Sequence, residues 1–595
     1  MPASEVAAVR LAPPRQVWSI ADGWWIGSAV AVWWAAALAP ALPMLAGVAG
    51  LAALVVTRWP LLLVVALAVL GAARASDTIG ALAGAEGGPR AGRAEVASDP
   101  EWVRSALRLD LVIDGVRWEA WARGGSAGRL ARASVGEIYA VELDATLADG
   151  RDRDFLWPRG AAGRAQIAQV RRIDGGALHH RTANAIRGLV IRSVEGLSQR
   201  DGILVTGFVL GDDRGQLPEV VDDFRGSGLT HLLAVSGSNV ATVLVMAAPL
   251  LRRLPQRWRL VAVLGLLAEF AVVTRGEPSV LRACALAAIA TAASTFGRRA
   301  SPLRLLSIAV SALVLADPLL VQSVGFQLSV SASAGIAMLA RPLAGLLPGP
   351  RPLAETVAVT LAAQLAVMPV QVTTFGSLPL ASIPANVLAA PAAAPAMIWG
   401  LHAGLIGGFA GSPIASFVHQ PTRLAVGWVA GVAQYSTALD LPTVESAEIP
   451  WAVAVLMISV VLAWVTRWRG AVVVFAALGM LVVSDREVAP LPSGAHLAVV
   501  SVQPTVVVID RPEPAWALGQ LREAGVRSID VLVLRSGSRD AESAARALRS
   551  RLAVGEVWAP RALPSVDAQR VERPVDLGVV VVETDGSRLR VGRPG

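Results

Sequence analysis

A succession of long apolar runs governs what this chain can fold into. They lie at about 24–40, 42–57 and 60–73, and then at about 229–251, 260–274, 279–296, 303–316, 325–340, 354–372, 379–409, 423–438, 451–466 and 470–484. Runs of this length match the hydrocarbon core of a bilayer, and a soluble fold could not hide so many of them. Only 16% of the 595 residues are charged, against about a quarter in ordinary soluble domains. The expected class is a polytopic α-helical membrane protein. Its span count is about 11–13, because the second and third runs are short enough to form a hairpin in place of two crossings.

Two polar stretches interrupt the apolar pattern, and arginine placement orients them. The 53 basic residues are all arginine, which reflects coding bias more simply than an arginine code. Arg10 and Arg15 place the N-terminus in the cytoplasm by the positive-inside rule. Inside loops follow at Arg252, Arg253, Arg257 and Arg259, at Arg298, Arg299 and Arg304, at Arg341 and Arg351, and at Arg467 and Arg469. One crossing per run satisfies every cluster and leaves 74–228 and the C-terminal segment outside. The expected location is the inner membrane, with both soluble modules on the extracytoplasmic side. The first apolar stretch runs on without a small-residue cleavage site, so a cleaved signal peptide is not expected. The lone Cys284 excludes an intrachain disulfide and reads as a small core residue.

The domains follow from this: 1–73 with the first spans, 74–180 a β module, 181–228 a helix and linker, 229–484 the main helical domain, and 485–595 a C-terminal module. In the β module Leu107, Leu109, Leu111 and Ile113 alternate with Arg108, Asp110, Val112 and Asp114. Further extended runs near 93–98, 116–123, 139–143 and 164–173 suggest five short strands in a small, OB-like β-barrel. Trp118 and Trp121 fall on opposite faces of a regular strand, and Tyr139 reads as core. Residues 182–195 read as an amphipathic helix with Ala185, Ile186, Leu189 and Val190 on one side, lying on the membrane surface or packed on the barrel. His179 and His180 read as a solvated loop.

The most informative stretch runs from Leu210-Gly-Asp-Asp-Arg-Gly-Gln-Leu217 through Phe224-Arg-Gly-Ser-Gly-Leu-Thr-His-Leu-Leu-Ala-Val-Ser-Gly-Ser-Asn-Val240. It sets His231, Ser236, Ser238 and Asn239 at bilayer depth. Polar groups are costly there, and they either bond between helices or face an aqueous cavity. Further on come Thr274-Arg-Gly-Glu-Pro-Ser-Val-Leu-Arg282, Gly325-Phe-Gln-Leu-Ser329, and Gln364, Pro369, Phe375, Gly376, Asn386 and Pro391. In order and content these blocks resemble the ComEC family of competence proteins. That family carries LGDRS…HLLAISGLHV, then RG-PS--RA, then GFQLS, then a spaced Q, P, FG, N, P pattern. Asn239 stands here where the family usually has histidine, so an imidazole role is not expected at that position.

The resemblance implies an inner-membrane channel that translocates single-stranded DNA during natural transformation. Its partners would be single-stranded DNA, the lipid bilayer, and separate DNA receptor, nuclease and cytoplasmic motor proteins. The candidate translocation path is His231, Ser236, Asn239, Gln327, Ser329, Gln364, Pro369 and Asn386, with amides offering a polar lining and prolines breaking helices beside a cavity. Candidate phosphate contacts are Arg108, Arg117, Arg123, Arg275 and Arg282. Arg275 and Arg282 have a second reading as residues snorkelling to the interface, with Glu269 as a partner inside the membrane. Asp212 and Asp213 read as turn and helix-terminus acids.

Many members of that family end in a metallo-β-lactamase-like domain with an HxHxDH motif after a strand. Here the strand Ile529–Leu534 is followed by Ser536, Ser538, Asp540 and Ala541, so the imidazoles a zinc centre needs are missing. The C-terminal module is therefore expected to be a short, degenerate α/β domain with strands near 497–502, 505–509, 529–534, 556–559 and 578–582. It should have no enzymatic activity and no cofactor. His402 and His419 are isolated, and neither a nucleophile elbow nor a Walker A loop is present. Two other readings stay open: a transporter of another polymer or solute on the same scaffold, and a membrane nuclease.

Overall fold

In the computed structural model the apolar runs become helices whose ends the local sequence sets. The structure describes residues 20–38, 60–103, 105–212, 214–233, 237–298, 300–375, 377–379, 381–439, 443–445, 497–502, 505–510, 513–524, 526–536, 538–559, 569–570, 581–584 and 589–592. The expected spans at 42–57, 451–466 and 470–484 lie outside these residues, as do Arg10, Arg15, Asp213, Ser236, Arg299, Gly376, Arg467 and Arg469.

Helices α1 (Ile20–Leu38) and α2 (Pro60–Ala83) pack together. The β module starts later than residue 74, because α2 keeps its helical period past that point: Ala75 and Leu82, two turns apart, are both buried. Arg74 belongs to this helix. Its Nε and Nη2 donate to the carbonyls of Leu315 and Ala316, which lie at the end of a later helix.

The β domain comprises β1 (Gly88–Val96), β2 (Glu101–Val103), β3 (Ala106–Ile113), β4 (Val116–Ala122), α3 (Gly124–Leu130), β5 (Ile138–Leu147), α4 (Gly150–Leu156), a 3₁₀ turn at Trp157–Arg159, and β6 (Ala161–Asp174). Six strands stand where five were expected, the short β2 being the addition. β1 pairs antiparallel with both β3 and β5; β3 pairs antiparallel with β4, β4 parallel with β6, and β6 antiparallel with β5. These pairings close a circuit, β1–β3–β4–β6–β5–β1. Leu107, Leu109, Leu111, Ile113 and Trp118 fill the core, together with Leu130 from α3 and Tyr139. Trp121 is only half-buried, as the opposite-face reading requires.

Next come α5 (Leu178–Ser193), α6 (Gln199–Leu210), α7 (Pro218–Gly226) and a 3₁₀ turn at Thr230–Leu232. α5 begins four residues before the expected start, so His179 and His180 occupy its first turn and not a solvated loop. Its buried positions are Ala183, Arg187, Val190 and Ser193, and it meets the β domain, as one of the two readings expected, through His180 beside Glu95 and Asn184 Nδ2 donating to the Val135 carbonyl at 2.9 Å. It also packs into the helical domain: a Cβ on Gly408 would lie 2.3 Å from the Leu189 carbonyl oxygen, so the close approach requires glycine.

The main helical domain holds α8 (Gly237–Leu251), α9 (Gln256–Val273), α10 (Pro278–Thr295), α11 (Pro302–Ala316), a 3₁₀ segment at Pro318–Gln322, α12 (Val324–Leu346), α13 (Arg351–Phe375), β7 (Ser377–Pro379), α14 (Ser382–Ala410), α15 (Ser412–Val418), α16 (Gln420–Ala438) and β8 (Thr443–Glu445). Proline in the first turn opens α10 and α11, where its missing N–H costs nothing. Ser301 caps α11 and Ser323 caps α12 through their side chains. Among the described residues, α2 (over Val64–Ala83), α10, α12, α13 and α14 are long and apolar enough to cross a membrane; Trp25–Leu38, Asn239–Leu251 and Pro302–Ala316 are shorter apolar helices. β7 pairs with β8, tying the end of α13 to the end of α16.

The C-terminal module contains β9 (Leu497–Val502), β10 (Thr505–Ile509), α17 (Pro514–Glu523), β11 (Ser528–Leu534), α18 (Arg539–Arg551), β12 (Ala553–Ala559), β13 (Gln569–Arg570), β14 (Val581–Thr584) and β15 (Leu589–Gly592). Its main sheet has the order β13-β12-β11-β10-β9. β9 and β10 are antiparallel and the rest parallel, with α17 and α18 closing the core. Four expected strands appear at or near their places; the fifth, near 578–582, falls on β14, which pairs with β15 outside this sheet.

Candidate functional site

Where the β domain meets the helical domain, the loops concentrate charge. A cavity of about 520 Å³ opens at this junction. Six arginines line it, Arg108, Arg117, Arg159, Arg187, Arg214 and Arg275, against five carboxylates, Asp99, Glu101, Asp110, Asp212 and Glu277. The first motif block reaches it through Leu210, Gly211, Asp212 and Arg214, and the second through Thr274, Arg275 and Glu277. Gly211 ends α6 in the left-handed region with φ 66°, a C-cap geometry that turns Asp212 into the junction.

Asp99, from the loop between β1 and β2, is the centre of the junction. It accepts two hydrogen bonds from Arg275, from Nε at 2.9 Å and Nη2 at 2.8 Å, and a third from Arg187 Nη2 at 3.1 Å. Arg275 also donates to Asn184 Oδ1 at 2.9 Å, and its backbone is held at φ 60°, rare outside glycine. Arg187 donates to the carbonyls of Leu210 and Val273 at 3.2 and 3.0 Å and pairs with Asp212 at 3.4 Å; Asp212 also takes Arg214 at 2.5 Å. Burial pushes the Asp99 carboxyl up. The Arg275 hydrogen bond and the charges of Arg187, Arg275 and Arg214 overcome that and hold it below the ordinary carboxylate range. Deeper in the β domain the balance reverses. Burial pushes Asp110 up despite Arg159 and Arg117.

Three of the five expected phosphate contacts, Arg108, Arg117 and Arg275, thus line one cavity. Arg108 pairs with Glu101, and Arg117 donates to the Arg159 carbonyl at 3.0 Å. Arg123 is exposed ahead of α3 and does not line the cavity. Arg275 does not snorkel, and Glu269 serves neither Arg275 nor Arg282 as an ion-pair partner: it accepts from Thr182 at 2.6 Å. Asp212 does more than close a turn, since it binds two arginines.

Arg282 forms a second point of convergence, inside the bundle. Its Nε donates to Ser329 Oγ at 2.8 Å, and a Cβ on Gly237 would lie 2.8 Å from its Nη2. Gly237 belongs to the first motif block, Arg282 to the second and Ser329 to the third, so three blocks distant in sequence meet here. The amides are bonded separately: buried Asn239 to the Phe208 carbonyl at 3.4 Å, Gln327 to that of Val321 at 2.8 Å, Asn386 to that of Ser382 at 2.8 Å, and Gln364 to Gln371 across Pro369 of α13 at 3.0 Å. None of these four lines the junction cavity. His231 is exposed in its 3₁₀ turn. His419 is buried against Ser193 Oγ at 2.9 Å, and His402 bonds the Ile398 carbonyl.

Sequence reasoning missed Asp99 and Arg187. Arg187 did carry a signal, because it falls on the same face as Ala183 and Val190, where an apolar residue belongs. Asp99 sits in Ser98-Asp99-Pro100, which reads as an ordinary turn.

The C-terminal module meets the helical domain at α7. Arg522 Nη1 pairs with Asp222 Oδ1 at 2.9 Å, and Arg551 pairs with Asp223. In the loop after β11, Ser536 Oγ lies 2.9 Å from Ser538 Oγ, and Ser538 caps α18 by accepting from the Ala541 N–H. Among the described residues no group of three or more His, Cys, Asp or Glu side chains is placed to hold a metal ion.

Helices long and apolar enough to cross a membrane, joined to a β-rich domain through a charged junction, define a helical membrane protein with a soluble module seated on its bundle. The comparisons make this more specific. Residues 208–471 match the family model described as "Competence protein", over the stretch whose motif blocks resemble the ComEC family of competence proteins. A protein of Escherichia coli (strain K12) described as "Uncharacterized protein YcaI" is 28% identical over 201 residues, which cover 32% of this chain and 27% of that relative's length. No solved structure matches the chain.

Proposed function

We propose that this protein is the membrane channel through which single-stranded DNA enters the cell in natural transformation. The observation that carries the reading is the junction cavity, where Arg108, Arg117 and Arg275 face one space between the β domain and the competence-family domain. Arginines held in fixed positions around a polar cavity suit a phosphodiester backbone and give binding that weakens with salt.

The rest of the fold is consistent with this route. The circuit β1–β3–β4–β6–β5–β1, with α3 between β4 and β5, is the strand order of an OB-like barrel, a scaffold that grips single strands by charge and stacking. From the cavity the strand passes into the bundle beside Arg282 and Ser329. About 11–13 spans, counting those the sequence leads one to expect at 42–57, 451–466 and 470–484, would put both soluble modules outside the inner membrane. Alternation of α9 to α16 supports the shared side. The β domain touches the ends of α9 and α11, and the C-terminal module touches α7 beside the β7–β8 pair at the ends of α13 and α16. The C-terminal module is a degenerate metallo-β-lactamase-like domain that no longer cuts. Its serines cap and bond each other where the family's metal ligands would stand. The motor, DNA receptor and nuclease are separate proteins.

Deleting the gene in its host and following uptake of labelled DNA tests the reading. Single-strand entry should be lost, return with the wild-type chain, and return at least about tenfold more weakly with Arg117→Glu, which reverses a charge facing the strand. Undiminished uptake in the deletion strain would overturn it.

A further inference from the structure

The two halves of the Asp99 contact are not built alike. The cationic half is fixed without Asp99. Arg187 is anchored by two backbone carbonyls and by Asp212, and Arg275 by Asn184 and its own left-handed backbone. The anionic half is one carboxylate on a loop of the neighbouring domain. Its two oxygens take the Nε and Nη2 donors of Arg275 side by side, a fork that a phosphate oxygen pair fits equally well. Arg187 and Arg275 share the Asp99 carboxylate, and Arg187 and Arg214 share that of Asp212. The contact lies in the wall of a cavity whose other arginines would lead an anion to it. Arg117 among them donates to a backbone carbonyl.

We propose that Arg187 and Arg275 form a phosphodiester subsite, that Asp99 fills it when no strand is present, and that an incoming backbone phosphate replaces the Asp99 carboxylate and frees the 97–101 loop from the bundle. This rests on the DNA-uptake reading and gives it a gate. The same two arginines that hold the Asp99 loop would be the first to hold the strand inside the helical domain. No covalent chemistry is involved. One anion is exchanged for another on a preorganised cation pair.

The test uses the full chain purified in detergent, with fluorescent oligothymidylate and inorganic pyrophosphate as probes. Asp99→Asn, nearly the same shape without the charge, should bind oligothymidylate at least about fivefold more tightly than wild type. Its log–log salt dependence should steepen by roughly 0.7 for each additional phosphate that the arginines neutralise. In the wild-type chain, where no folding defect can intervene, saturating oligothymidylate or pyrophosphate should speed backbone hydrogen exchange at 97–101 and 274–277. If wild type binds oligothymidylate in a salt-dependent way while neither the variant's affinity nor the exchange changes, Asp99 is a plain structural ion pair; the subsite fails and the DNA reading stands. If pyrophosphate loosens 97–101 but oligothymidylate does not bind, the subsite stands and the DNA reading fails. Slower exchange at 97–101 with either probe overturns the displacement outright.

Discussion

Two soluble modules are joined to one helical domain by the same chemistry run in opposite directions. At the β-domain junction the helical domain supplies the cations, Arg187 and Arg275, and the module supplies Asp99. At the C-terminal junction the helical domain supplies the anions, Asp222 and Asp223 on α7, and the module supplies Arg522 and Arg551. The edge of the bundle is therefore positive under one module and negative under the other. On the proposed reading this polarity would place strand entry on the β-domain side, with the C-terminal module a brace on α7, the helix that leads into the motif at 224–240.

The sharpest way to break the comparison is Arg187→Met. The Arg187 side chain is 5% exposed and serves two carboxylates and two carbonyls, so its loss should cost the junction about 3–5 kcal/mol. Limited proteolysis of the purified chain should then release the β domain at a denaturant concentration where wild type stays intact. The counterpart Arg522→Ala should cost less, about 1–2 kcal/mol, since that side chain is 29% exposed, although it leaves the 9%-exposed Asp222 carboxylate without this partner. Faster hydrogen exchange along α17 and α7 would report it. Equal losses at the two sites would mean that both modules are clamped alike.

The smallest expected effect is on pH, and its sign differs between the junctions. Burial pushes Asp223 up to about 6, against the pull of Arg551, from an ordinary 3.8. The folded form therefore holds its proton more tightly than the unfolded chain. Its contribution to folding stability is complete below 3.8 and is lost as pH rises through about 6. Asp99 is held below 3.8, so its contribution is present above that value and fades only as pH falls below it. Between pH 7.5 and 5, exchange along α7, which carries Asp223, corrected for its intrinsic rate, should slow, whereas exchange at 97–101 should not change. Asp223→Asn should flatten the first response.

The helices were legible because a bilayer-length apolar run has few alternatives. The ends of α9, α10, α11 and α14 fall within a few residues of the runs that announced them. The core strands were legible from alternation, and the Trp118–Trp121 opposition from the period of two. Errors came where a polar residue sat inside a longer pattern. Arg74 looked like the start of a soluble region, yet it caps α11 from within α2. His179 and His180 looked like a loop because the apolar face of α5 begins only after them.

The sequence alone determined the class of this protein: many helices, two modules and the blocks that mark its family. All of these are local patterns of hydropathy and motif, readable along the chain. Which charges meet was decided by tertiary structure. Asp99 and Arg275 stand 176 residues apart, and Gly237, Arg282 and Ser329 lie on three different helices. An ion pair between distant residues has no period and no spacing. It exists only because packing brings two loops together and removes the water that would otherwise solvate each charge by itself.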